Sequence, residues 1–184
     1  DETYDPDPQA PVIFADPAAG GAPFAGNITS ADIEPAMGMP IDSNVTGVDA
    51  GDLVKFAVVI ENTGQDDALD TLFRDTLAAG FEIPPGGLNF QVYDGAGTEI
   101  STDTAGTYDN LVDQNGNPIA VADVASYFFD NVAGTGDQGG VRLVNPIIEG
   151  VTDPGLNTPN STGTNIIVVT YDLQLDDELD ADFN

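Results

Sequence analysis

The chain has 184 residues, 41% of them hydrophobic, enough to bury a single-domain core and too many for a disordered chain. Its 32 Asp and Glu stand against three basic residues, Lys55, Arg74 and Arg142, for a formal charge of −29, so no basic patch exists to displace counterions from nucleic acid or to hold an anionic membrane. With no Cys and no His there is no disulfide framework, no thiolate and no imidazole for proton transfer near neutrality.

Residues 1–30 hold Pro6, Pro8, Pro11, Pro17 and Pro23 with Gly20, Gly21 and Gly26. Proline fixes φ and removes a donor, which excludes a helix or a central strand here. An extended N-terminal arm is expected, with Val12, Ile13, Phe14 and Phe24 as apolar anchors. These either pack on the arm's own domain or add as an edge strand to a neighbouring molecule. The chain opens on Asp1 without a signal peptide, as expected of a processed or excised piece. The remainder, residues 31–184, is expected to form one domain, entered through a broken edge strand of Ile33, Met37 and Met39 whose pairing Pro35 and Pro40 limit.

At 53–61 Val54, Phe56, Val58 and Ile60 alternate with Lys55, Ala57, Val59 and Glu61, the period of a strand with one face on a core. It ends at the turn-formers Asn62-Thr63-Gly64. The segment 69–81 is read as a weaker strand, Leu69, Thr71 and Phe73 alternating with Asp70, Leu72 and Arg74. The helical alternative rests on Leu69, Leu72, Phe73 and Leu77. Pro84-Pro85-Gly86-Gly87 is a firm break. The segment 88–94 follows as a strand with Leu88, Phe90 and Val92 inward, and Thr98 to Ser101 as its partner.

Residues 102–117 read as polar loop, 118–121 as a short strand, 122–129 as one or two helical turns and 141–150 as a strand interrupted at Pro146. The segment 164–175 is a second long strand with Ile167, Val169, Tyr171, Leu173 and Leu175 on one side. It pairs with 53–61 at the centre of a sheet. The tail, Asp176 to Asn184, is acidic. Seven to nine strands separated by turn chemistry predict an all-β, two-sheet β-sandwich.

The order of these motifs resembles a known family. GDLVKFAVVIENTG at 51–64 leads to Asp66-Asp67-Ala68-Leu69-Asp70-Thr71, then Asp75-Thr76-Leu77, Gly80-Phe81, VYDGAGTEI at 92–100 and IIVVTYDLQL at 166–175. Across residues 45–175 this is similar to the repeat domain of large bacterial and archaeal surface proteins, the domain-of-unknown-function eleven family. It departs in having Ala78-Ala79 where proline is common before Gly80. The resemblance implies an immunoglobulin-like sandwich in tandem arrays of secreted, envelope-attached proteins, without catalytic residues to carry over. A further strand normally follows the last one in such arrays. Here residues 11–25 of a neighbouring copy are expected to supply it.

Asp outnumbers Glu by 25 to 7. That excess suits turns and oxygen-ligand calcium sites alike. Asp109, Asp113, Asn115 and Asn117 line one loop with D-x-N-x-N spacing and are the first candidate calcium ligands. The alternative is a plain turn at Asn115-Gly116. Asp176, Asp177 and Glu178 of the tail form the second candidate, against a solvated charge run. Calcium is therefore the expected cofactor, and a generally acidic surface suited to salty water is the competing explanation of the charge. Paired carboxylates for glycoside hydrolysis lack a sugar-stacking platform, since Trp is absent, and the chain is not read as an enzyme. The expectation is an extracellular or cell-surface structural subunit or repeat of an appendage, filament or adhesin stalk. Its partners are other copies of itself, with neither nucleic acid nor membrane insertion. The alternative is an extracellular ligand- or carbohydrate-binding module.

Overall fold

The computed structural model describes residues 3–4, 45–46, 48–62, 64–94, 98–134, 138–144, 148–150 and 164–176. The arm anchors Val12, Ile13, Phe14 and Phe24, the expected edge strand at 31–40, and Asp177 and Glu178 of the tail lie outside the described residues. Two short strands, β1 (Thr3–Tyr4) and β2 (Val45–Thr46), pair antiparallel.

Two antiparallel sheets and one short helix follow. In the first sheet β3 (Leu53–Glu61) pairs with β11 (Ile166–Leu175) over nine consecutive residues, from Ile166 opposite Glu61 to Gln174 opposite Leu53. The other edge of β11 carries β6 (Gln91–Asp94) at Ile167–Thr170 and β5 (Phe81–Glu82) at Gln174–Leu175. In the second sheet β8 (Thr107–Val112) pairs with β7 (Asp103–Thr104), β9 (Pro118–Ala120) and β10 (Val141–Leu143), and β10 pairs with β4 (Leu72–Phe73). A 3-10 turn at Val121–Asp123 leads into α1 (Val124–Phe128). The expected all-β sandwich is therefore present, with its two longest strands paired as the period-two pattern requires.

The core lies between the sheets. Phe73, Leu88, Phe90, Val92, Tyr108, Leu111, Ile119, Val141, Leu143, Ile167, Val169, Tyr171 and Leu173 form one buried cluster with Val124, Phe128 and Phe129 of the helix region. Rings organise its centre. Tyr171 stacks on Phe56 at 5.3 Å and meets Phe128 and Phe129 edge-on at 5.0 and 5.6 Å.

Several local expectations are corrected. Asn89 sits at φ +46, so the strand expected over 88–94 begins only at Gln91, although Leu88 and Phe90 stay buried. Asp70 at φ +52 interrupts the extended backbone between Ala68, which bridges Ile148, and β4, so Leu69 is exposed while Phe73 is buried, and no helix forms over 69–81. The 102–117 stretch is not loop: Ala105 and Gly106, at φ +55 and +82, form a two-residue turn joining β7 to β8. β11 is buried on both faces, since Ile166, Val168 and Thr170 are as enclosed as Ile167 and Val169. Val58 belongs to the inward row of β3 yet is 40% exposed, because β3 and β4 border an open side of the sandwich.

That asymmetry sets the expected cost of truncation. Leu111→Ala empties a fully buried site and is expected to lower stability by about 2–5 kcal/mol. Val58→Ala removes a half-open side chain and is expected to cost less than about 1 kcal/mol. Urea denaturation of the two variants checks the contrast; equal losses would contradict the placement of β3.

Candidate functional site

All three basic residues of the chain are paired with an aspartate. Lys55 on β3 faces Asp172 on β11 at 2.6 Å, as the β3–β11 register places them directly opposite, and Asn89 Nδ2 donates to the other Asp172 oxygen at 3.0 Å. Arg74 pairs with Asp130 at 3.2 Å and Arg142 with Asp70 at 3.3 Å. The Arg142–Asp70 pair is open to solvent, so screening leaves it little weight. What remains is a surface of carboxylates whose mutual repulsion only salt or bound cations relieve.

The loop with D-x-N-x-N spacing turns β8 into β9 around Asp113. Its Oδ1 accepts the N–H groups of Asn115 and Asn117, both at 2.8 Å, and its Oδ2 accepts Asn117 Nδ2 at 2.9 Å. Asp113 N–H donates to Asn117 O at 2.9 Å, and Gly116, at φ +86, donates to Asp113 O at 3.0 Å. Donors converging on one carboxylate favour its charged form. The Asn117 side-chain and backbone hydrogen bonds therefore hold the Asp113 carboxyl below its ordinary pKa, outweighing the opposing effect of burial. Asp109 lies four residues earlier on β8, roughly 13 Å back along an extended strand, where it accepts from Thr102 Oγ1 at 3.3 Å. The structure thus brings Asp113, Asn115 and Asn117 together and leaves Asp109 apart. Asp176, the one described member of the tail set, donates its N–H to Gly80 O at 3.0 Å. Among the described residues no three acidic side chains converge in a metal-binding group.

Two hollows remain. A cleft of about 130 Å³ opens between the sheets at the β3 and β4 edges, lined by Val58, Ile60, Leu72, Phe73, Phe128 and Val169, with Arg74 and Asp75 at its polar end. Asp75 accepts the Tyr171 hydroxyl on Oδ2 at 2.8 Å and the Thr76 N–H on Oδ1 at 2.7 Å. Burial, then the hydrogen bond and charge of Asp75, push the Tyr171 phenol far above its ordinary pKa, so it remains a proton donor to that carboxylate. Tyr108, which donates to Phe90 O at 2.9 Å, is pushed up to about 12 by burial and by the charges of Asp103 and Glu99. A shallower groove of about 500 Å³ runs past Leu53, Pro84-Pro85-Gly86-Gly87, Asn89 and Gln174, and among the described residues no aromatic ring lines it.

Sequence reasoning did not find the Tyr171–Asp75 contact, whose partners lie 96 positions apart on different sheets. The Lys55–Asp172 pair did leave a signal: Lys55 is the one basic residue of β3 and Asp172 the one charged residue of β11, each set among mostly apolar neighbours. No protein-family model, curated protein or solved structure matches the chain.

Two outcomes test this geometry. The Asp113 carboxyl, followed by its carbon chemical shift, is expected to titrate below the ordinary Asp value of about 3.9. Because its folded pKa is depressed, its stabilisation is present above that value and lost as pH falls through the folded pKa. A midpoint at or above the ordinary value contradicts the hydrogen-bonded turn. Tyr171→Phe deletes a donor to a carboxylate and is expected to cost about 1–2 kcal/mol by denaturant titration.

Proposed function

We propose that the chain is a structural building block: an immunoglobulin-like subunit or repeat of an extracellular surface appendage, filament or adhesin stalk. Copies contact copies, with strand donation by the apolar arm as the linking mode and divalent cations, calcium first among them, bridging acidic faces. The single observation that carries the reading is an open apolar flank on a heavily acidic sandwich. Val58 and Leu72, 40% and 51% exposed, line the cleft where, among the described residues, no strand joins the β3 edge to the β4 edge. A strand edge with apolar flanks is a template for another strand, and a sandwich used for mechanical continuity needs such a template more than it needs a pocket.

Calcium fits the acidic loop at Asp113 and Asn117, whose carboxylate and amide oxygens retain further lone pairs, and it fits surface carboxylates shared between copies. A second reading, a ligand- or carbohydrate-binding module, draws on the groove at Pro84–Gly87. It is the weaker reading because sugar faces are usually held on aromatic rings, and none is among the described residues that line that groove.

Electron microscopy of the purified full chain in calcium-containing buffer tests the proposal, with filaments or end-to-end assemblies expected. Adding chelator is expected to shorten the assemblies and lower Tm by several degrees. Isolated particles at every concentration would overturn the building-block reading, and a Tm indifferent to chelator at low salt would remove the cations from it.

A further inference from the structure

The edge of β3 opposite β11 has a backbone polarity that the hydrogen bonds fix. Asn62 N–H donates to Asn165 O at 2.8 Å, and Leu175 N–H donates to Asp52 O at 2.9 Å. With the β3–β11 register, these bonds make the even-numbered β3 residues the hydrogen-bonded partners of β11. Lys55, Ala57 and Val59 therefore turn their N–H and C=O groups to the outer edge. Among the described residues no strand pairs with that edge.

Edges this long are ordinarily blunted by proline, a bulge or a projecting lysine. β3 has no proline, and its nine consecutive pairs with β11 leave no bulge. Its one lysine is drawn across the strand to Asp172 rather than projecting from the edge. Charge marks the same strand: Lys55 is neutralised by Asp172 and Glu61 is the one other charged residue of β3, while the chain as a whole carries −29. Two copies that repel elsewhere can approach here.

We propose that the outer edge of β3 is a self-recognition surface on which β3 of a second copy adds antiparallel, centred on Ala57. In that register Ala57 lies opposite Ala57, Lys55 opposite Val59 and Leu53 opposite Glu61. All of these are odd-numbered, so the outward N–H and C=O groups of both strands meet as hydrogen-bonded pairs. The alternate row sets Phe56 beside Val58 and Val54 beside Ile60, which carries the apolar inner face across both copies and covers Val58. Lys55 stands diagonal to Glu61 of the second copy. The contact is isologous, the same patch on both sides, and closes as a pair. The inference goes beyond the proposed function: it gives the β3 edge to β3 of a second copy and leaves the arm to link copies elsewhere, and it rests on that reading only in taking a like chain as partner.

Sedimentation equilibrium of the full chain in 1 M NaCl, where the screening length is about 3 Å, reads the association directly. A species of twice the 19.0 kDa chain mass is expected. Val59→Pro removes an outward donor without touching the β11 ladder and is expected to halve the observed mass. Ala57→Lys sets two ammonium groups face to face at the symmetry centre and is expected to weaken association at least tenfold, giving a second variant should the proline substitution fail to fold. The double variant Ile13→Asp, Phe14→Asp is expected to leave the pair intact. A wild-type chain that stays single up to millimolar concentration would sink the inference. So would a folded Ala57→Lys that pairs like wild type, or loss of pairing in the arm variant, which would give the edge to the arm. Pairs without filaments would overturn the proposed function alone; filaments built from chains with no β3 pairing would overturn this inference alone.

Discussion

Tyr171 ties the two sheets of this protein together. Its ring leaves β11, stacks on Phe56 of the neighbouring β3, meets Phe128 and Phe129 edge-on, and its hydroxyl ends on Asp75 just beyond β4. One side chain thereby fixes the spacing of the layers, the seat of the short helix and the position of the β4 edge. The bond to Asp75 is short and partly buried, so removing the donor leaves a carboxylate without its partner in a poorly solvated place. The flank that stays open, between β3 and β4, is open partly because Tyr171 and Asp75 hold those edges where they are.

Charge shapes the remainder. Each of the three basic side chains is committed to an aspartate, and only Lys55–Asp172 is shielded enough to act as more than a surface pair. Every other carboxylate must be solvated, screened, or held by backbone donors as Asp113 is. In Asp113 the geometry that makes a tight turn, several donors around one carboxylate, is also what keeps that carboxylate charged.

Much of the architecture was legible in the chain. The two long strands, their inward rows and their mutual pairing follow from alternation at 53–61 and 166–175, because a half-buried strand leaves a period-two mark. The short strands were harder. β7 and β8 fall in a stretch rich in Thr, Asp, Asn and Gly, and the turn between them is Ala105-Gly106 rather than the usual Asn-Gly, so composition pointed to loop. Asn89 and Asp70 adopt left-handed backbone that their residue types permit but do not demand, and each displaces a strand boundary.

Taken alone, the amino-acid order determined the all-β class, the central strand pair, the acidic surface and the absence of thiol and imidazole chemistry, since each is a property of composition or of a single segment. Only the folded arrangement decided that Asp75 lies under Tyr171, that Asp109 is separated from Asp113, that β11 is enclosed on both faces and that Val58 is exposed. These depend on which distant segments meet, and no local pattern encodes a distance between residues a hundred positions apart.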